Sequence, residues 1–211
     1  MATYIAISSV RGLISLVQMG TLEFHPWGSR TDRLEQPDRL IFDLDPGPAV
    51  RWESVCQAAL AMRARLEDLG LGAFAKTTGG KGLHVVVPLV RKQSWGPVKE
   101  FCREFAQTFV REAPERYTSN MSKAKRRGKI FIDYLRNSRG ATAVAAYSTR
   151  AWSGAPVSTP IDWNELPTAH SDQFTLRNLK RRLAGLRHDP WKEYNDARRS
   201  ITAAVRKKLA Q

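Results

Sequence analysis

The sequence predicts a fold of the α/β class, in its α+β form, with helices flanking a mixed or antiparallel sheet. Short apolar runs of strand length alternate along the chain with stretches of helical periodicity, which is the pattern of this class. Three of the apolar runs also carry acidic residues or a glycine-rich loop at or beside an end. With 42% hydrophobic residues the chain can build one core, so we predict a single domain over residues 1–211.

The elements before the glycine-rich loop are predicted from apolar alternation and turn residues. In order, we expect a strand near 4–8, a helix near 10–19, a strand at 22–25 and a strand at 40–45. A Pro46-Gly47 turn ends the last of these strands. The following helix is the most regular, because five apolar residues share one stripe before Gly70: Val55, Ala58, Met62, Leu66 and Leu69.

The second half begins with two paired strands, at 71–76 and 83–87, which hold the glycine-rich loop. Apolar residues at helical spacing then predict a helix that ends before Pro114: Trp95, Val98, Cys102, Phe105 and Phe109. The remaining expected elements are a polar loop at 114–128, strands at 129–135 and 142–148, and helices at 175–186 and 192–209.

Asp43 and Asp45 stand two residues apart at the end of a predicted strand, in the stretch R-L-I-F-D-L-D-P-G. Period-two alternation puts both carboxylates on one face, where they would repel each other unless a cation lay between them. Mg²⁺ or Mn²⁺ would meet this need, since hard cations prefer oxygen ligands. Asp133, in K-I-F-I-D-Y-L, is a third candidate. A strand end that caps a turn or pairs with lysines also fits the D-x-D pair. A phosphatase of the haloacid dehalogenase type shares the pair, but that family expects Thr or Val where this chain has Gly47.

The stretch K-T-T-G-G-K-G-L-H, residues 76–84, predicts an anion-binding loop between two strands. Glycines let backbone N–H groups approach an anion, while Thr78, Lys81 and His84 add a hydroxyl, a charge and an imidazole. The spacing differs from that of a P-loop, and a strand follows instead of a helix. An ordinary glycine-rich hairpin with a basic tip is the alternative.

Five stretches, in this order, resemble a known family: L-E-F-H-P-W-G-S (22–29), L-I-F-D-L-D-P (40–46), K-T-T-G-G-K-G-L-H-V-V-V-P (76–88), F-I-D-Y-L-R-N (131–137) and A-Y-S-T-R (146–150). The chain resembles the polymerase domain of bacterial ATP-dependent DNA ligase D, in the archaeo-eukaryotic primase superfamily. The resemblance covers nearly the whole chain. We expect the chain to be incomplete at its N-terminus relative to this family, in which a further segment carries template and 5′-phosphate contacts.

The resemblance implies a primase-type palm, with an RRM-like sheet and a second small lobe. It implies that Asp43, Asp45 and Asp133 are catalytic and bind two divalent metal ions, Mn²⁺ or Mg²⁺. The nucleotide-binding residues it implies are Thr78, Gly79, Gly80, Lys81, His84 and Arg150, with Arg136 and His25 close to them.

The activity implied is template-directed nucleotidyl transfer at DNA breaks in bacterial non-homologous end joining. Gap filling or end extension would use an NTP or dNTP on primer–template DNA or broken ends, beside a DNA ligase and an end-binding protein. A bacterial cytoplasmic, nucleoid-associated location follows, with no membrane. Two alternatives stay open: a catalytically weak DNA-binding module of the same family, and a metal-dependent phosphatase or nuclease.

The charge of the chain agrees with a polyanionic partner. There are 34 basic and 20 acidic residues, a net charge of +14. One basic cluster is predicted to contact the phosphate backbone of DNA, although a solvated face is the ordinary reading of such a run: Lys123, Lys125, Arg126, Arg127 and Lys129. The two cysteines, Cys56 and Cys102, lack the spacing of a metal site.

Overall fold

The computed structural model describes residues 4–211 and contains one six-stranded mixed sheet in that range. The strands are β1 (Arg39–Pro46), β2 (Phe74–Thr77), β3 (Leu83–Pro88), β4 (Tyr117–Thr118), β5 (Ile130–Asp133) and β6 (Pro160–Ile161). The helices are α1 (Val10–Gln18), α2 (Trp52–Asp68), α3 (Trp95–Glu112), α4 (Leu176–Gly185) and α5 (Ala203–Leu209). No helix within the described residues is long and apolar enough to cross a membrane.

The strand order β4-β5-β1-β3-β2-β6 follows from two split β-α-β units. Helix α2 connects β1 to β2, and β3 lies between these two strands. The connection from β3 to β5 passes through α3 and the short strand β4, and β1 lies between β3 and β5. All neighbouring strands are antiparallel except β4 and β5. This arrangement confirms the predicted fold class, and β1 is a central strand with a neighbour on each side.

One face of the sheet is buried against α2 and α3. Leu40, Phe42 and Leu44 of β1 point to this face and are fully buried in the main core. Burying each such side chain stabilises the fold by roughly 1.5–3 kcal/mol. Alternation then sends Asp43 and Asp45 to the opposite, open face. The same apolar pattern that builds the core therefore fixes where the acids point.

A smaller apolar cluster covers part of the open face. Ile41, Val86 and Ala143 are buried there, and Trp191 and Tyr194 pack against them. The two aromatic rings are stacked with centroids 5.1 Å apart, and the indole N–H of Trp191 donates to the Ala75 carbonyl at 2.9 Å. The chain after α4 therefore closes this part of the face.

Several predicted elements are wrong. Residues 4–8, 22–25 and 142–148 form no strand in the structure, and Thr142 makes only an isolated bridge with Trp27. Tyr147, at φ 63°, is incompatible with a continuous strand. The helix predicted at 192–209 is restricted to α5, because Arg199 forms a parallel bridge with Leu89 and the chain must extend there. The second small lobe stays a prediction.

Candidate active site

The register of the sheet brings the acidic residues together. Asp43 on β1 lies opposite His84 on β3 and opposite Asp133 on β5. Asp45 is two residues further along β1, on the same face and closer to the strand end. The strand alternation predicted from the sequence accounts for Asp43 and Asp45, and the pairing of β5 with β1 adds Asp133.

Arg136 lies between two of these carboxylates. Its guanidinium is 3.3 Å from Oδ2 of Asp43 and 3.2 Å from Oδ2 of Asp133. Arg136 follows Asp133 after a short turn, in which Oδ1 of Asp133 accepts the Leu135 N–H at 2.9 Å. The positive charge between the two acids is therefore that of Arg136, which lies three residues after Asp133 in the sequence.

The three carboxylates differ in their pKa values. Burial, together with the charges of Asp43 and Asp133, raises the pKa of Asp45 to about 7. Burial also raises the pKa of Asp133. For Asp43 burial acts in the same direction but is outweighed by His84, Arg136 and Lys76, which lower its pKa. The cluster is short of positive charge, and Asp45 is the carboxyl group most disposed to take up a proton.

The donor set fits a hard divalent cation in part. Oδ1 of Asp43 is buried and has no hydrogen-bond partner. A Cβ on Gly82 would lie 3.3 Å from this oxygen and 3.1 Å from Oδ1 of Asp45, so both oxygens face one small space. Across residues 4–211, however, no three His, Cys, Asp or Glu side chains are grouped closely enough to hold a metal ion. Asp43 and Asp45 fit such an ion, whereas Asp133 is engaged by Arg136.

The glycine-rich loop uses several of its polar groups to hold its own shape. The Thr78 hydroxyl donates to the Gly82 carbonyl at 3.0 Å and accepts the Gly80 N–H at 3.2 Å. Gly79, at φ 67°, donates its N–H to the Ser171 carbonyl at 3.1 Å. Among residues 4–211, no acceptor is found for the N–H groups of Lys81 and Gly82. The tip of the loop therefore offers free donors, while its base is fixed.

Glu23 connects His25 to Arg150. One carboxylate oxygen of Glu23 lies 2.7 Å from Nε2 of His25 and accepts from Nε of Arg150 at 3.1 Å, while the other accepts the Ala151 N–H at 2.7 Å. Burial opposes ionisation of Glu23, but these hydrogen bonds and the Arg150 charge outweigh it and lower its pKa to about 2. Arg150 also donates to the Thr78 carbonyl at 3.0 Å and stacks over Trp152.

These groups line one cleft of about 300 Å³ on the open face. Its walls are formed by His25, Asp43, Asp45, Thr78, Gly80, Lys81, Gly82, His84, Arg136, Ala143, Val144, Arg150 and Trp152. Most of the residues predicted from the sequence are therefore adjacent. Gly79 and Asp133 support the cleft from behind its lining.

Two buried bases lie near Asp43: His84 lines the cleft, and Lys76 lies next to His84 outside the lining. His84 lies 3.4 Å from Asp43, its Nδ1 has no hydrogen-bond partner, and burial lowers its pKa to about 4. Lys76 lies opposite His84 on β2 and donates to Oγ of Ser158 at 2.6 Å. Burial lowers the pKa of Lys76 to about 7.

Sequence reasoning missed Lys76 and Glu23. The signal for Lys76 was a lysine at an alternating position of an apolar strand, paired by the hairpin with His84. The signal for Glu23 was its place two residues before His25. The net charge and the basic clusters of the sequence indicate neither residue as part of the site.

The predicted basic cluster lies beside the cleft and does not line it. Residues 123–126 form a short 3-10 turn that is docked on the end of β1, where the Gly47 N–H donates to the Lys129 carbonyl at 2.9 Å. A Cβ on Gly47 would lie only 1.7 Å from the Arg126 carbonyl oxygen. The Arg126 guanidinium stacks 3.7 Å over Phe131. The side chains of Lys123, Lys125 and Arg127 are exposed.

A family model described as "LigD, primase-polymerase domain" matches residues 1–191. The chain belongs to this family. The LigD protein of Pseudomonas aeruginosa, a multifunctional non-homologous end joining protein, is 46% identical over 207 residues, which is 97% of this chain and 25% of that protein. The LigD of Mycobacterium tuberculosis is 35% identical over 190 residues, covering 86% of this chain and 25% of that protein.

Structural comparison agrees with the LigD assignment. The polymerase domain of Mycobacterium tuberculosis ligase D, solved in complex with DNA, superposes with a TM-score of 0.82 at 31% identity. The match covers 90% of this chain and 69% of that one. The chain spans about a quarter of the length of the curated LigD relatives it matches. The predicted resemblance is confirmed at the level of family and fold.

Proposed function

We propose that this LigD-family chain catalyses template-directed nucleotidyl transfer, adding an NTP or dNTP to a 3′ end at DNA breaks in bacterial non-homologous end joining. One observation carries the proposal. One small cleft is lined both by carboxylates that could bind a divalent cation, Asp43 and Asp45, and by basic groups that could bind a triphosphate, Lys81 and Arg150. A phosphate-transfer site needs both kinds of group within reach of one reacting centre.

Asp43 and Asp45 would hold the first of two divalent ions, Mn²⁺ or Mg²⁺, and Asp133 would join them once Arg136 withdraws. Such ions, when bound, lower the pKa of an attacking hydroxyl and stabilise a leaving pyrophosphate. The unpartnered Oδ1 of Asp43 and the raised pKa of Asp45 support this role, because a divalent cation would coordinate the first and neutralise the second.

The basic groups of the cleft would bind the triphosphate. Lys81 is exposed at the tip of the glycine-rich loop and offers its ammonium group together with a free N–H. Arg150 is held in place by Glu23, so little side-chain entropy is lost when it meets a phosphate. His84 has an unused ring nitrogen at the floor. Thr78, Gly79 and Gly80 would act by shaping the loop, and His25 and Arg136 by completing the rim.

DNA is the proposed partner because a polymerase domain of this family was solved with DNA bound, and because this chain is strongly basic. The basic cluster of residues 123–129, docked beside Asp45 at the end of β1, would contact the backbone of the primer–template. Cooperation with a DNA ligase and an end-binding protein is proposed from the multifunctional LigD relatives.

The test is primer extension on gapped duplex DNA, with NTPs or dNTPs and with Mn²⁺ or Mg²⁺. We expect Asp43→Asn, Asp45→Asn and Asp133→Asn each to abolish extension. Asp45→Asn and Asp133→Asn should melt no lower than the wild type, because the pKa of both carboxyl groups is raised in the folded protein. Asp43→Asn should melt lower, because it removes a charge that Arg136 and the neighbouring bases stabilise. Asp68→Asn, which changes an exposed aspartate at the end of α2, is the matched control and should extend normally.

Two outcomes would replace the proposal. Tight DNA binding without extension under any metal would identify a DNA-binding module. Release of phosphate from a nucleotide in the absence of primer, abolished by the same three substitutions, would identify a phosphatase.

A further inference from the structure

A second concave site lies at the other end of β1 from the acids. It has a volume of about 390 Å³, and its lining is strongly basic: Arg30, Arg33, Asp38, Leu89, Val90, Arg91, Lys92 and Arg198. Asp38 immediately precedes β1, and residues 89–92 immediately follow β3, so the site occupies the sheet end opposite the carboxylates. We call it the arginine pocket.

The distance between the two sites can be read from the strand itself. Arg39 and Asp45 are six residues apart on β1. At roughly 3.3 Å per residue, the arginine pocket is about 20 Å from the acids. The two sites therefore cannot contact the same nucleotide, but one nucleic-acid strand could contact both.

Three of the five basic side chains of the arginine pocket, those of Arg30, Arg91 and Arg198, are held in place. Asp38 is buried, and its carboxylate accepts from Nε of Arg30 at 3.1 Å and from Nε of Arg39 at 2.7 Å. Arg91 donates to both carboxylate oxygens of Asp32, at 2.6 and 2.8 Å. Arg198 donates to the side chain of Asn195 at 2.7 Å. Guanidinium groups fixed in this way lose little conformational entropy when an anion binds.

The acids near the pocket do not neutralise it. Four arginines and one lysine line it together with a single acid, Asp38, and a second acid outside the lining, Asp32, pairs with Arg91. Arg33 and Lys92 form no ion pair with any acid in residues 4–211. A purely structural ion-pair network would balance its charges more closely, so the excess positive charge indicates an anionic ligand.

We propose that the arginine pocket binds backbone phosphate of a nucleic-acid strand that also enters the catalytic cleft. Arginine suits this ligand because its planar guanidinium donates in pairs to phosphate oxygens. A strand advances about 3.4 Å per nucleotide, so about six nucleotides separate the two contacts. The proposal rests on the proposed function only in taking nucleic acid as the substrate.

The prediction that follows is a dependence on strand length. Binding of a fluorescent single-stranded DNA of 16 nucleotides, and of one of 4 nucleotides, is measured by anisotropy without metal or nucleotide. The test variant is Arg33→Gln/Lys92→Gln, which leaves the contacts of Asp38 and Asp32 intact. The control is Arg11→Gln/Arg111→Gln, which removes the same charge from exposed positions on α1 and α3.

We expect the test variant to bind the 16-mer more weakly, by about 5-fold for each lost phosphate contact at 0.1 M salt, and the salt slope to become shallower by about 0.7 per contact. The 4-mer, which can occupy only one of the two sites at a time, should lose less affinity in the test variant, as a fold-change, than the 16-mer does. The control variant should change the affinity for the 16-mer much less than the test variant does.

Equal effects of the two variants on the 16-mer would overturn the proposal, as would an equal loss for the 4-mer. A poly-glutamate peptide that binds wild-type protein more tightly than the 16-mer, and loses this affinity in the test variant, would assign the pocket to an acidic protein instead. This binding assay measures no catalysis. A failure of nucleotidyl transfer in the primer-extension assay would therefore neither support nor contradict the phosphate contact proposed for the arginine pocket.

Discussion

Gly82 lies where the glycine-rich loop meets the carboxylates of β1. An added Cβ would come within 2.9 Å of the Leu44 carbonyl oxygen and within 3.3 Å of the acidic oxygens of both Asp43 and Asp45. The Leu44 oxygen belongs to the central strand and cannot easily move. The space that a metal ion would need is thus kept open by the absence of one side chain.

Gly82→Ala should reduce nucleotide addition by at least tenfold and destabilise the fold by about 1–3 kcal/mol, the range for overpacking. Gly96→Ala is the control, because a Cβ at this position of α3 meets no atom within 4 Å and should stabilise the helix by about 0.5–1 kcal/mol. Extension rates and urea unfolding of both variants test this. Normal extension by Gly82→Ala would mean that the acids do not converge at Gly82 during catalysis.

Arg136→Gln removes the cation between Asp43 and Asp133, so the variant should melt at a lower temperature than wild type when no metal is present. Adding Mn²⁺ should raise its melting temperature more than that of wild type, because no guanidinium competes for the oxygens. Thermal unfolding with and without Mn²⁺ measures both effects.

The control is Arg139→Gln, three residues later, which breaks an exposed, solvent-screened ion pair with Glu35 and should change stability little. Should Mn²⁺ stabilise Arg136→Gln no more than it stabilises wild type and Arg139→Gln, Arg136 does not occupy a metal position.

At the scale of elements, the β2–β3 hairpin places a buried lysine under the cleft. Lys76 has a folded-state pKa of about 7, below the ordinary lysine value of 10.5, because burial penalises its charge. The folded protein therefore binds this proton less tightly than the unfolded chain does. The resulting cost to stability is complete below pH 7 and disappears as the pH rises towards 10.5.

Lys76→Met should consequently raise the free energy of unfolding relative to wild type at pH 6, and this gain should shrink steadily towards pH 10. Denaturant unfolding of both proteins at several pH values between 6 and 10 tests the sign. Lys192→Met, which alters an exposed lysine, is the control and should show no such trend. A gain that grows with pH would show that the charge of Lys76 stabilises the fold.

The elements that the sequence predicted well are those in which one local pattern decides the outcome. The apolar stripe that ends at Leu69 predicted helix α2. The alternation of Leu40, Phe42 and Leu44 with acidic residues predicted strand β1 and which of its faces is buried. The failures occurred where distant contacts decide. In residues 142–148 the N–H groups of Ala143 and Ala145 pair with carbonyls of residues 26 and 24, and that of Tyr147 pairs with Ser158. These are distant contacts that no local pattern records.

The candidate site follows the same division. Asp43, Asp45 and the glycine-rich loop could be predicted because each is a short motif, and the family resemblance added His25, Arg136 and Arg150. Glu23 could not be predicted, because its importance lies in accepting from Arg150, 127 residues away. Lys76 has a role only through the register between β2 and β3.

At the scale of the whole molecule, positive charge is found at both ends of the sheet. The basic cluster of residues 123–129 lies beside the acids, and the arginine pocket lies at the far end. Duplex DNA binding should therefore weaken steeply with salt, with a log–log slope of about −0.9 for each neutralised phosphate.

Lys123→Gln/Lys125→Gln should make this slope shallower by about 1.8 if both side chains contact phosphate. The Arg11→Gln/Arg111→Gln variant controls for net charge. Affinity for a duplex at four salt concentrations gives each slope. An unchanged slope in Lys123→Gln/Lys125→Gln would assign the basic cluster to a solvated surface.

The stacked pair of Trp191 and Tyr194 has a practical consequence for the boundary of the domain. The family-model match stops at residue 191, before Tyr194, whereas the core continues to Ile201, which is only 1% exposed. A protein engineer who trimmed the chain at residue 191 would keep every residue that lines the cleft. The shortened protein would nevertheless lose the aromatic cover of Val86 and Ile41, and would expose apolar surface prone to aggregation. The unit that must be expressed is therefore longer than the range that the family model matches.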